Sequence, residues 1–260
     1  MTAEQDRLNP VHSILFSQHK PENISHSPFY PLVERFGVHI DFRSFITVEG
    51  ITARDFRKNH INLEERNAVI FTSRHAAENY FRLCEEMRVK ISEDTKYFCQ
   101  NEALANYLQR FIHYRKRKVF FGQRSIDELH ENMLRYKKKD KFFVPITNIS
   151  EPSLTEFLRT NEFDFIEGVT HQTLSSDLSD LADITYDMLV FFSPQGITSL
   201  YENFPDFKQN KTRICGAGAA TCKAILDRGL ILDINPATES GSITTVLENY
   251  VAQANRKVGV

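Results

Sequence analysis

The sequence predicts an α/β protein made of two similar, doubly wound parallel-sheet domains. Short apolar runs alternate with helical patterns almost from end to end, and two strand-to-helix units recur about 120 residues apart. The ten candidate strands are also many for one sheet. With 260 residues, 41% hydrophobic and 25% charged, the chain can fill one large or two modest cores, and its composition is far from that of disordered sequences.

Taken in order, the runs that read as buried parallel strands are Ile14–Phe16, Val38–Phe42, Ala68–Phe71, Tyr97–Cys99, Val119–Phe121, Phe142–Val144, Phe165–Val169, Met188–Phe192, Arg213–Cys215 and Leu230–Ile234. Between them, apolar residues fall at i, i+3, i+4 and i+7, the spacing of one helix face. Ala77, Tyr80, Phe81 and Cys84 do so, as do Leu104, Tyr107, Leu108 and Phe111. Ile197, Leu200, Tyr201 and Phe204 repeat the pattern, followed by Ile243, Val246, Leu247 and Tyr250. Gly37 and Gly229 stand where a helix should end before the next strand. Strands separated by helices imply right-handed crossovers, which wind helices onto both faces of a sheet.

The recurrence lies in Val69-Ile70-Phe71-Thr72-Ser73-Arg74-His75-Ala76 and Leu189-Val190-Phe191-Phe192-Ser193-Pro194-Gln195-Gly196. Each is a buried strand ending in Ser and entering a helix. The next units match in outline, Phe98 to Ala103 against Cys215 to Ala220. Buried strands can also resemble one another by chance. The crossings between domains are expected at Phe42–Gly50 and at the polar stretch Thr170–Asp183. Residues 1–46 with 171–260 then form one discontinuous domain and residues 47–170 an inserted one, with five strands each. Two linkers side by side would make a two-stranded hinge with a cleft across it.

Composition excludes several classes. The 32 Lys and Arg against 34 Asp and Glu leave a net charge of −2, which gives no field to attract nucleic acid or an anionic membrane. The basic runs Arg115–Lys118 and Lys137–Lys141 read as solvated loops. No apolar run approaches the ~18 residues of a membrane span, and the polar start Met1–Arg7 lacks the apolar stretch of a signal peptide. The four cysteines form no C-x-x-C pair and read as buried thiols of a reducing compartment, so a cytoplasmic location is expected. The nine histidines show no metal-ligand spacing, and no metal is expected. Phosphate-loop, zinc-protease, nucleophile-elbow and calcium-loop signatures are missing. Gly216-Ala217-Gly218-Ala219-Ala220-Thr221 opens a helix after a strand but lacks the third glycine of a dinucleotide loop. The same geometry can bind a carboxylate through exposed N–H groups.

Short hydroxyl or amide side chains occupy the strand-to-helix turns: Thr72-Ser73, Asn101, Thr147-Asn148, Ser193, Thr221 and Ser242 after Gly241. Singly, each is explained as a helix N-cap. Collectively they sit at the carboxyl ends of strands, where α/β folds bind ligands. His171 stands at a domain crossing, although a surface histidine is the commoner case.

Three segments come in the order and at the spacing of a known family. They are Ala68 to Ala76, Asp187 to Ile197, and Gly218 to Ala224 with Gly229-Leu230. They resemble the uroporphyrinogen-III synthases, whose signatures read roughly I-F-T-S-x-x-A, F-x-S-P-x-G and G-x-T-T-A-x-A…G-L. The likeness runs from about Ile14 to Val251. It implies two flavodoxin-like domains and a cofactor-free lyase of tetrapyrrole synthesis. Such an enzyme expels the terminal hydroxyl of linear hydroxymethylbilane, inverts the last pyrrole ring through a spiro intermediate and closes the macrocycle.

The substrate's many carboxylates suit a cleft lined with helix N-termini and hydroxyls. By resemblance, the matching positions are Thr72, Ser73, Ser193, Gly196, Gly218 and Thr221, with Arg213 where a basic residue is common; Arg74, Asn101, Thr147, Asn148, Pro194, Gln195, Ala219 and Ala220, at or beside the same turns, complete the candidate binding residues. The candidate catalytic residue is His171, which in His171-Gln172-Thr173 replaces the tyrosine of the family's Y-x-T. Imidazole can donate a proton near neutrality. Two further departures are Ala220, where a threonine is usual, and Asn101-Glu102, where a glycine-containing turn is common. The partner implied is the small-molecule tetrapyrrole, acted on by a monomer without a cofactor. The competing reading is a catalytically impaired tetrapyrrole- or polycarboxylate-binding protein on the same scaffold.

Overall fold

The computed structural model describes residues 9–122, 126–149, 152–238 and 241–256. The segment Met1–Arg7, read above as lacking a signal peptide, lies outside the described residues. Contacts divide the chain into two compact units, residues 1–47 with 174–260 and residues 48–173.

The chain opens with β1 (Ser13–Phe16), α1 (Tyr30–Phe36), β2 (His39–Phe42) and β3 (Ile46–Gly50). Next come α2 (Ala53–Arg57), β4 (Ala68–Phe71), α3 (Arg74–Met87), β5 (Lys96–Cys99), α4 (Glu102–Tyr107), β6 (Val119–Phe121), α5 (Ile126–Leu134), β7 (Phe142–Thr147) and α6 (Pro152–Thr160). The long strand β8 (Phe165–Ser175) leads back to the first unit, which finishes with β9 (Met188–Phe191), α7 (Pro194–Asn203), β10 (Arg213–Gly216), α8 (Ala219–Asp227) and α9 (Ile243–Arg256). Gly37 ends α1 at φ 64°, and its N–H reaches the carbonyls of Leu32 and Val33, a left-handed cap that a Cβ would disfavour. Gly229, at φ 71°, stops the chain just beyond α8.

The first unit holds a sheet in the order β10-β9-β1-β2. Its strands are parallel, with Ile14 opposite both Ile40 and Met188. Alternate residues feed two apolar layers: Ile14, Phe16, Met188 and Val190 pack on one face with α9, and Leu15, Leu189, Phe191 and Ile214 on the other with α7 and α8. The second unit's sheet has the order β3-β8-β7-β4-β5-β6. There Val69 and Phe71 face α3 and α4, while Ala68, Ile70 and Phe98 face α5 and α6. Every residue of β4 and β9 is buried, the condition for strands covered on both faces. Each fully buried Phe or Leu contributes about 1.5–3 kcal/mol. Both sheets are parallel-dominated and doubly wound, the class expected from the alternating pattern.

Three details differ from expectation. Leu230–Ile234 forms no regular strand and makes a single parallel bridge, Ile234 to Cys215. The Asp233 carboxylate accepts the Ile214 N–H at 2.9 Å and a Gln209 amide at 3.1 Å, so a side chain takes the bond a ladder would use. Conversely, Ile46–Gly50 is a strand although its residues alternate only between half-buried and exposed. The α4 helix stops at Tyr107 in a 3-10 turn (Leu108–Arg110), leaving Phe111 37% exposed and stacked on Phe81 rather than in the core.

Among the described residues no helix is long and apolar enough to cross a membrane.

Candidate functional site

A cavity of about 480 Å³ opens in the second unit beside the carboxyl ends of β4, β5 and β7. That volume suits a small organic ligand. It gathers Thr72, Ser73, Thr147 and His171 from three separate stretches of sequence. Its walls are apolar, with Phe71, Leu129, Val144, Ile146 and Leu154, and among the described residues no Asp, Glu, Lys or Arg lines it.

His171 arrives there through a β-bulge. Along β7 and β8 the pairing runs Ile146 to Val169 and then Thr147 to His171, so Thr170 is the extra residue. In a regular strand neighbouring residues point to opposite faces; here both Thr170 and His171 are buried, at 0% and 5% exposure. The Thr170 hydroxyl lies 3.0 Å from His171 Nδ1, which leaves Nε2 for a bound molecule. Burial, reinforced by nearby His75, lowers the His171 pKa below the ordinary 6.5, so the imidazole is neutral at pH 7.

The other second-unit residues have visible jobs. Ser73 N-caps α3 by accepting the Ala76 N–H at 3.1 Å, while Thr72 just before it is exposed. Asn148 ties β7 to β8: its Oδ1 accepts from Thr173 N–H at 2.7 Å and its Nδ2 donates to Thr173 C=O at 3.3 Å. Neither Asn148, Asn101 nor Arg74 lines the cavity. Asn101 caps α4 by accepting the Leu104 N–H at 2.9 Å, and the exposed Arg74 guanidinium lies 5.1 Å from the Tyr107 ring.

In the first unit, Ser193 caps α7 through the Gly196 N–H at 3.3 Å. Its backbone, φ −149° and ψ 155°, nearly repeats that of Ser73, φ −149° and ψ 164°. Pro194 and Gln195 form the half-buried first turn of α7. Gly218 precedes α8 in extended backbone, φ −156°, close to Asn101 at φ −151°. Ala219 and Ala220 are exposed on the first turn of α8, and Thr221 is buried behind them, so it offers no open hydroxyl.

Arg213 is a correction. It begins β10, roughly 10 Å along the strand from Gly216 at about 3.3 Å per residue, and so lies at the amino end, away from the turn at Gly218. Its guanidinium donates to Lys211 C=O at 3.0 Å and Pro10 C=O at 2.8 Å. A larger cavity of about 820 Å³ in the first unit also lies at this amino end, near Asp187 and Thr212, and none of the residues expected to bind ligand lines it.

Sequence reasoning missed Gln100 and His130, which both line the smaller cavity. His130 stacks on Phe157 with ring centroids 3.7 Å apart, and nothing in its local sequence distinguishes it from the other scattered histidines. All four cysteines are buried, and burial pushes the Cys84 and Cys99 thiols up to about 12, too high for nucleophiles. Among the described residues no group of three or more His, Cys, Asp or Glu could hold a metal ion.

The fold matches solved structures. Uroporphyrinogen-III synthetase from Helicobacter pylori 26695 aligns at TM-score 0.60 and 14% identity, covering 93% of this chain and 99% of that one. A mutant uroporphyrinogen III synthase from the extremely thermophilic bacterium Thermus thermophilus aligns at TM-score 0.54 and 11% identity, covering 94% and 99%. At such identities the likeness concerns the fold. No curated protein sequence matches significantly. The family profile described as Uroporphyrinogen-III synthase HemD matches residues 27–241, which takes in both units and both of the repeated strand-to-helix turns. On that match the chain belongs to the uroporphyrinogen-III synthase family.

Proposed function

We propose that the protein is a uroporphyrinogen-III synthase, a lyase that cyclises linear hydroxymethylbilane to the type III macrocycle with inversion of the last pyrrole ring and loss of water. The observation that carries this reading is the bulge that turns His171 into an apolar cavity. By the sequence resemblance, His171 stands where the family's Y-x-T has its tyrosine. A neutral imidazole resembles a phenol in offering a hydrogen-bond donor without bringing a charge.

The cavity has room for the reacting end of the substrate, a pyrrole with its hydroxymethyl group. Apolar walls exclude water from the cation left when the hydroxyl departs. Carboxylates find donors in the N–H groups at the strand-to-helix turn of Thr72 and Ser73, at the start of α3. Holding a flexible chain in one arrangement supplies orientation, because the carbons that must bond are then kept within reach of one another. On this reading the enzyme works as a cytoplasmic monomer and needs no cofactor.

Incubating the purified protein with hydroxymethylbilane and separating the isomers tests the assignment. Type III should dominate; type I alone, the spontaneous product, rejects it. The second reading, a binding protein with impaired chemistry, is favoured by the lack of charged side chains among the described residues of the cavity lining and by Ala220. Tight tetrapyrrole binding without type III would select it, and gain of activity by His171→Tyr would locate the defect.

A further inference from the structure

We propose that Thr170 is a positioning residue that fixes the tautomer of His171, keeping the ring proton on Nε2 so that a neutral imidazole presents an N–H donor to the cavity. This rests on the proposed synthase activity for its purpose, though not for its geometry.

Thr170 is fully buried, and among the described residues its hydroxyl has one partner, His171 Nδ1 at 3.0 Å. Its backbone is pinned as well, since its carbonyl accepts the Ile51 N–H at 3.1 Å. A hydroxyl can donate or accept. If Nδ1–H donated to it, the threonine's own proton would be buried without an acceptor, which is unfavourable. If the hydroxyl donates, its proton and the Nδ1 lone pair satisfy one another, and the imidazole proton must sit on Nε2. The bulge makes this pairing possible, because it brings two consecutive residues into the interior together.

The doubly protonated ring is the remaining alternative, and the surroundings oppose it. Among the described residues the cavity is lined by no acidic side chain, and the other titratable group facing it is His130 on α5. From α3, His75 faces His171 with Nδ1 3.4 Å from Glu78, and any charge it gains works against a second cation. Burial acts in the same direction.

Chemically, the C–O bond of the hydroxymethyl group breaks with its electron pair going to oxygen, and the Nε2–H donates a hydrogen bond to that oxygen as charge develops. The methylene cation bonds to the substituted α-carbon of the last ring to give the spiro intermediate, and that carbon's bond to its original bridge breaks. The freed bridge carbon bonds to the ring's unsubstituted α-carbon, which loses its proton to the departed hydroxide, giving water. His171 returns unchanged.

The test is nitrogen NMR of the full chain carrying ¹⁵N-labelled histidine, with the His171 signals assigned by their loss in His171→Gln. The expected spectrum shows a protonated Nε2 and an unprotonated Nδ1 at pH 7. Thr170→Ser should keep that signature, whereas Thr170→Val should lose it and lower kcat about tenfold with KM little changed, the size of one lost hydrogen bond. An Nδ1–H or doubly protonated signature in the unmodified protein overturns the proposal, as does an unchanged signature in a folded Thr170→Val. If that variant does not fold, the spectrum of the unmodified protein decides alone. If the signature is as expected but no type III product forms, the tautomer assignment stands and the synthase reading fails.

Discussion

Arg213 and His171 are both buried nitrogen-rich side chains, and their surroundings assign them opposite roles. Arg213 is 2% exposed and spends its guanidinium on backbone carbonyls, holding the segment around Pro10 against the start of β10. Arg213→Met should therefore destabilise the fold by about 1–3 kcal/mol in urea unfolding and leave KM unchanged. A raised KM at unchanged stability would return Arg213 to ligand binding. His171 has a pKa lowered mainly by burial, so below the ordinary value of 6.5 the unfolded chain binds a proton that the folded one resists. Stability should consequently fall as pH drops through 6.5, and the loss should level off once the folded-state pKa is passed. His171→Gln should flatten that part of the stability-versus-pH curve, and an unchanged curve would contradict the assignment. Ser73 and Ser193 were readable as caps from their residue types alone. That Thr221 is buried was not, because burial depends on how α8 seats against the sheet.

At the level of elements, the apolar runs identified every described strand but β3, because parallel strands covered on both faces have no polar residues to hide them. The edge strand β3 lacked that signal, being half-exposed throughout. The bulge in β8 was equally invisible, since a register shift is set by the partner strand rather than by local sequence. Gly168 marks how closely β8 packs: a Cβ there would fall 2.8 Å from the Phe143 ring, which also packs against Phe56 and Tyr80. Gly168→Ala should cost about 1–3 kcal/mol by overpacking, seen as a lower urea midpoint at constant slope. It should also reduce turnover, because the same strand carries His171. A variant of full stability would show that the ring moves aside freely.

For the whole molecule, the most informative feature of the sequence was repetition. Ser73 and Ser193 cap α3 and α7 with nearly the same backbone angles, and Asn101 and Gly218 stand in matching conformations before α4 and α8. The strand-to-helix turns that recur in the two parallel-dominated sheets were thus legible from strands ending in Ser and entering a helix, although the sheets hold four and six strands rather than five each. The cavity was legible only in part: Thr72, Ser73, Thr147 and His171 could be named, but Gln100 was passed over beside the cap Asn101 in its repeated unit, His130 comes from a segment with no motif, and only folding brings them alongside. On the proposed function, the reacting pyrrole is processed in this cavity, against His171. A crystal structure of the protein grown with its macrocyclic product under reducing conditions tests it most directly. The expected result is a pyrrole ring between the apolar walls, within hydrogen-bond reach of Nε2. Product lodged in the larger cavity at the amino ends of β9 and β10, with His171 bare, would contradict it.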